Sequence, residues 1–117
     1  HALLPESAYD LRGLPSLWEL LWTCYMWVII QEVMIFYIHR QMHIDKRLYG
    51  AIHKVHHAWT SPVSYSAIYC HPIEQMTSNI PPLIVGPIIC GSHVLAIAVF
   101  LFLAVVHVTS VHSGYWV

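Results

Sequence analysis

Five histidines fall within nineteen positions of this chain, as His39 and His43 and then His53, His56 and His57. The spacing is i, i+4 in the first cluster and i, i+3, i+4 in the second. Residues three and four apart share one helical face, so each cluster would aim its imidazoles in one direction. That is what a metal ion needs, and neutral imidazole is the commonest nitrogen ligand for zinc, iron, copper and nickel. A single pair on a helix is commonplace, and a solvated or pH-sensing face has the same appearance. Two clusters joined by a short connector favour a metal site. Glu32 lies seven residues before His39 and shares its helical face. It would either orient a ligating ring from behind or pair with another polar group in a bundle.

The residue types narrow the chemistry. There is no His-Glu-x-x-His, so a zinc-protease reading fails. Soluble di-iron bundles draw on carboxylates with Glu-x-x-His pairs, and this chain has only 6 acidic residues. Two metals held by many imidazoles remain. Iron would support oxygen activation, whereas zinc would do no redox chemistry. The residues alone leave iron and zinc both open.

The elements that must carry these residues are apolar. The chain is 57% hydrophobic and 9% charged, with a mean hydropathy of +0.58. Soluble domains carry roughly 25% charged residues, so the expected class is an all-α integral membrane bundle. The 117 residues suit one domain. No Asp, Glu, Lys or Arg follows Glu74, and a net charge of −1 excludes a nucleic-acid partner. Cys24, Cys70 and Cys90 show no ligand spacing, and Cys24 and Cys90 are expected to pack as small hydrophobes. There is no signal-peptide pattern. The chain starts at His1 and is expected to be a piece of a longer protein.

In chain order, residues 1–16 read as a loop or interfacial segment with Pro5, Gly13 and Pro15. Ser16 and Glu19 form a capping-box pattern. Residues 17–38 are long enough, at ~1.5 Å per residue, to cross a bilayer. Trp18, Trp22, Tyr25, Trp27 and Tyr37 fall where interfacial aromatics would. Residues 39–79 form the histidine segment, with an amphipathic helix over 48–57, turn signals at Thr60-Ser61-Pro62 and a short helical lead-in over 73–79. Trp59, Tyr65 and Tyr69 are placed at the interface. The basic residues Arg40, Lys46, Arg47 and Lys54 place this end on the cytoplasmic side and would suit anionic lipid or an acidic partner. Residues 80–111 are an apolar run broken at Pro81-Pro82, Gly86-Pro87 and Gly91-Ser92-His93. Those breakers favour a membrane hairpin, which would return His107 and His112 to the first two clusters. His93 reads as a polar turn residue.

The motifs then become specific. His39-Arg40-x-x-His43, Leu48-Tyr49 and His53-Lys54-x-His56-His57 resemble the first two histidine boxes of the fatty acid hydroxylase superfamily. Tyr69-Cys70-His71-Pro72-Ile73-Glu74 and Val111-His112-Ser113-Gly114-Tyr115 resemble its sterol C4-methyl oxidase branch. His71-Pro72-Ile73-Glu74, Ser78-Asn79, Val85-Gly86-Pro87 and Gly91-Ser92-His93 resemble the fatty acid hydroxylase domain-containing protein 2 group of that branch. The likeness covers about residues 30–115. It implies an endoplasmic-reticulum membrane oxygenase with a histidine-bound di-iron centre, O2 as oxidant and electrons from a cytochrome b5-type donor fed by NAD(P)H. The substrate would be a lipid, in this branch a 4-methylsterol. By position, His39, His43, His53, His56, His57 and His112 match ligands, with His71 and His107 as further candidates.

Two features depart from the pattern. The family carries a further His-x-x-His-His box downstream of Ser-Gly-Tyr, and Trp116 stands where Asp or His is common. The chain is therefore expected to lack part of the metal site. A rival reading is a catalytically inactive truncated member that binds lipid or scaffolds other membrane proteins. A histidine-lined metal or proton carrier fits poorly, because 94–106 offers almost no polar path.

Overall fold

The longest element, α1, runs unbroken over Leu17–Ile44 in a computed structural model that describes residues 4–10, 13–61 and 63–115. Pro62 and Trp116 lie outside the described residues. Ser16 accepts from the Glu19 backbone N–H at 3.2 Å, and the Glu19 carboxylate accepts from the Ser16 N–H at 2.7 Å, which completes the expected capping box. With no Gly or Pro before Asp45, nothing stops the helix at 38, and it carries both His39 and His43. At ~1.5 Å per residue it is about 42 Å long. The stop is Asp45, whose extended backbone leaves the helix while its carboxylate accepts from the N–H groups of Arg47 and Leu48. One residue thus ends α1 and caps α2, Lys46–Ala51.

The amphipathic helix expected over 48–57 does not run through. It breaks at Ile52 (φ −126°, ψ −63°), and His53–Ala58 is a 3-10 turn. A second 3-10 turn, Ser64–Ile68, packs against the last helix. The lead-in over 73–79 begins as α3, Pro72–Glu74, widens into a π turn, Gln75–Asn79, and continues as α4, Ile80–Cys90. The breaks expected at Pro81-Pro82 and Gly86-Pro87 do not occur. Pro81 and Pro82 follow directly on the π turn, where the helical bonding is already irregular, and Pro87 lies in the last turn of α4. The chain turns only at Gly91, with φ 57° in the left-handed region, and resumes as α5, Val94–Val111. His93 does more than end a turn. Its Nδ1 accepts from Leu95 N at 3.1 Å, and its Nε2–H donates to the Asp10 carbonyl at 3.1 Å, tying the N-terminal segment to α5. Among the described residues there is no strand.

The shared core is thin: Trp27, Ala96 and Phe100, with Leu20, Cys24, Leu83 and Ile97 around it. The Trp27 and Phe100 rings meet edge to face at 5.2 Å, a favoured aromatic geometry. Cys24 packs there as expected, whereas Cys90 is exposed. Helices α1 and α5 are long and apolar enough to cross a membrane, with mean hydropathies of 1.5 and 2.6. Only 6% and 11% of those stretches are buried among the described residues. Apolar side chains such as Leu17, Tyr37 and Phe102 point outward, as lipid or another helix would require.

Close approach of α4 to α1 depends on Gly86. A Cβ there would stand 2.8 Å from Trp27 Cδ1 and 3.1 Å from its Cγ. Gly86→Ala is expected to force the helices apart and cost roughly 1–3 kcal/mol, read as a lower melting temperature in detergent, with Gly50→Ala, where nothing lies within 4 Å, as the near-neutral control.

Candidate metal centre

Four of the histidines meet at the far end of α1. His39 and His43 come from successive turns of one helix face, and His53 and His57 from the 3-10 turn brought back by the Asp45 corner. His43 Nε2 lies 3.1 Å from His39 Nε2 and 3.1 Å from His53 Nε2, and His57 Nε2 lies 3.0 Å from His53 Nε2. One donor atom from each of the four lies within 4.8 Å of every other. Neighbouring nitrogens bound at ~2.1 Å to one ion stand about 3.0 Å apart at a right angle and about 3.4 Å apart in a tetrahedron. The donor set therefore fits a metal ion at its centre.

Hydrogen bonds to acceptors fix which nitrogen is free in three of the rings. His53 is fully buried, and its Nδ1–H donates to Glu74 Oε1 at 2.7 Å. A carboxylate can only accept, so the Nε2 lone pair faces His43 and His57. His56 Nδ1–H donates to the Tyr69 carbonyl at 3.2 Å, and His112 Nδ1–H to the Val108 carbonyl at 2.8 Å. Their rings lie 5.7 Å apart. Both keep Nε2 available beside the main cluster, and His56 also stacks on His53 at 5.7 Å.

The remaining candidates are elsewhere. His71 spends its Nδ1 capping α3, accepting from Ile73 N at 3.2 Å. His107 is exposed on α5. Glu32, the acid expected to orient a ligand, is exposed and stands seven residues up α1 from His39, about 10 Å along the axis. A shared face is not contact, and the acid that does contact a ring is Glu74. Sequence reasoning missed it because it lies 21 residues from His53; an acid beside an otherwise charge-free run was the available signal. Tyr49 was also missed: its ring lies 5.8–6.1 Å from those of His43, His53 and His57. Trp59, Tyr65 and Tyr69 are exposed, with Trp59 edge-on to Tyr69 at 5.7 Å.

Burial, and then the neighbouring rings of His57, His43 and His56, hold the His53 imidazole down to about 4. His57 is lowered by burial and by His43 and His56, offset by Glu74. Burial pushes Glu74 up, against the opposing effect of the surrounding imidazoles. Its second oxygen, Oε2, is buried without a hydrogen-bond partner among the described residues. At neutral pH the His53 and His57 rings are therefore uncharged, the form that ligates.

Fold and site together define a helical chain with two helices of membrane-spanning length and a cluster of four histidines that could hold a metal ion. The fatty acid hydroxylase family profile matches residues 24–117, and the chain belongs to that family. It is 40% identical over 104 residues to fatty acid hydroxylase domain-containing protein 2 of Homo sapiens, covering 89% of this chain and 31% of the relative. It is 31% identical over 107 residues to methylsterol monooxygenase 1 of Gallus gallus, covering 92% of this chain and 36% of that protein. Methylsterol monooxygenase 1-3 of Arabidopsis thaliana is 34% identical over 102 residues, covering 87% of this chain and 34% of the relative. The chain thus spans about a third of the length of these relatives. No solved structure matches it.

The lowered His53 and His57 give a pH dependence of definite sign. In the unfolded chain these rings take up protons below about 6.5; in the folded chain His53 resists until about 4. Protons therefore favour the unfolded state across that window. Glu74, raised in the fold, acts the other way, while the His53 contribution spans the whole range from about 6.5 to about 4. The metal-free protein is expected to lose stability as pH falls from 7 towards 4.5, checked by thermal melts in detergent.

Proposed function

We propose that this chain is the histidine-box part of a membrane-bound di-iron oxygenase that hydroxylates a lipid C–H bond, with a methyl group of a 4-methylsterol as substrate. The observation that carries this reading is the convergence of His39, His43, His53 and His57 donor atoms within 4.8 Å. A second iron position is assigned to His56 and His112, whose Nδ1 atoms are committed to backbone carbonyls. Family membership and the methylsterol monooxygenase relatives support the oxygenase class and the sterol. Iron bound there would supply the activation of O2, with electrons from a cytochrome b5-type donor fed by NAD(P)H.

The chain's own residues prepare the site. Glu74 and the Tyr69 and Val108 carbonyls hold ring protons on the outer nitrogens, leaving inner lone pairs for metal. His53 is fully buried, so its side of the cluster is closed to water. The apolar outer faces of α1 and α5 support a membrane setting, here assigned to the endoplasmic reticulum, with α4 and α5 entering and leaving as a hairpin. Arg40, Lys46, Arg47 and Lys54 are exposed at the histidine end, which supports a cytoplasmic orientation by the positive-inside rule.

Elemental analysis of the full-length protein in detergent is expected to give about two irons per chain, with conversion of a 4-methylsterol to its hydroxymethyl product when a cytochrome b5 system is supplied. His53→Ala should remove iron and turnover together, and His112→Ala should retain about one iron and lose turnover. Full iron and normal turnover in His53→Ala would sink the assignment. Iron uptake with turnover of other lipids only would retain the oxygenase and remove the sterol.

A further inference from the structure

Glu74 reaches His53 because of an irregularity in its own helix. Residues 72–90 form one rod, with Ser78 and Gly86 against Met42 and Trp27 of α1, along which Glu74, Ser78, Pro82 and Gly86 are buried. These positions are four apart. In an α-helix four residues overshoot a full turn by about 40°, so three such steps drift by roughly 120°. An unbroken helix packed through Gly86 would aim Glu74 a third of a turn away from α1 and the histidines. The π turn Gln75–Asn79 inserts one residue into the rod, which takes up about 100°. The line is restored: Gly86 faces Trp27, the Ser78 hydroxyl meets Met42 Sδ at 3.6 Å, and Glu74 meets His53 at 2.7 Å.

The π turn is held by a side-chain clamp. Gln75 and Asn79 are its first and last residues, and Asn79 Nδ2 donates to Gln75 Oε1 at 2.8 Å. The Cys70 thiol donates to the same oxygen at 3.1 Å and accepts from Asn79 Nδ2 at 3.4 Å. Thr77 Oγ1 donates at 2.8 Å to the Ile73 carbonyl, which in an α-helix would be the acceptor for the Thr77 N–H. The wide turn is therefore stitched by its own side chains, and π turns of this kind recur at functional sites.

We propose that Glu74 is a positioning residue for the metal centre, and that the π turn 75–79, clamped by Cys70, Gln75 and Asn79, exists to aim it. Its task is to keep the His53 proton on Nδ1, so that Nε2 enters the cluster as a lone pair. Free imidazole prefers its proton on Nε2, and that tautomer would place a hydrogen among the four donors. The affinity arm of the test rests on the metal-centre reading above, and the tautomer arm does not.

The test uses metal-free full-length protein in detergent, labelled with ¹⁵N-histidine, with His53 assigned by its loss in His53→Asn. The wild type should show His53 protonated at Nδ1. Glu74→Leu should move the proton to Nε2 and weaken binding of added iron(II), by competition against a chelator, by about 10–100-fold. Glu74→Gln, whose amide oxygen still accepts, should keep the tautomer and most of the affinity. Gln75→Ala with Asn79→Ala, which removes the clamp, should let the turn close into α-helix with no residue lost, rotate Glu74 by about 100° and shift the tautomer with Glu74 still present. An unchanged Nδ1–H in Glu74→Leu would overturn the proposal, as would the Gln75→Ala/Asn79→Ala variant with both tautomer and affinity unchanged. A tautomer that moves in Glu74→Leu while no form takes up iron would uphold it and count against the di-iron reading.

Discussion

The buried pair His53–Glu74 is the contact on which the rest of the histidine end depends. A carboxylate with 3% exposure is expensive to remove from water unless it is bonded in place, and here one oxygen holds an imidazole N–H while the other has no partner among the described residues. What it secures is the direction of a single lone pair. The other elements at this end are arranged around that vector. The continuous α1 puts His39 and His43 on one face, the Asp45 corner folds the next segment back, and the 3-10 turn sets His53 and His57 opposite them.

The two ends of the molecule present different surfaces. Towards the middle, α1, α4 and α5 share only a small aromatic core, and most of their apolar surface points outward. Such a surface suits lipid or another helix, and α1 and α5 are long and apolar enough to cross a membrane. At the histidine end the cations are exposed, the polar contacts are numerous and the backbone becomes irregular, with 3-10 and π turns in place of long helix. Irregular geometry is where side chains are aimed at one another rather than at a uniform apolar surface, and it lies beyond the two membrane-length helices.

Much of this was legible beforehand, for reasons that differ by residue. The capping box at Ser16 and Glu19, the helix from 17, the partly buried Cys24 and the pairing of His39 with His43 are local: each follows from side chains three or four positions apart. The resemblance of the histidine boxes likewise led to the family to which the chain belongs. Local rules failed where two requirements competed. Gly86-Pro87 was read as a break, yet the helix passes through it, since Gly86 is needed for contact with Trp27 and Pro87 falls where the helix is already ending. The helix over 48–57 was drawn too long, because the corner at Ile52 answers to where His53 must go. Glu32 was preferred to Glu74 because helical phase is visible in a sequence and axial distance to a partner on another segment is not.

By itself, the sequence determined the class of the protein, its all-helical character and the set of imidazoles available to a metal, because composition and i, i+4 spacing are properties of neighbouring residues. Only the tertiary structure decided which four histidines converge, that His71 caps a helix and His107 faces outward, and that the acid behind His53 is Glu74. Those outcomes depend on a corner at Asp45 and on one residue inserted into a helical rod, and the effect of each is to rotate or fold a distant side chain into reach. Such rotations accumulate along the chain and are resolved only when the elements pack.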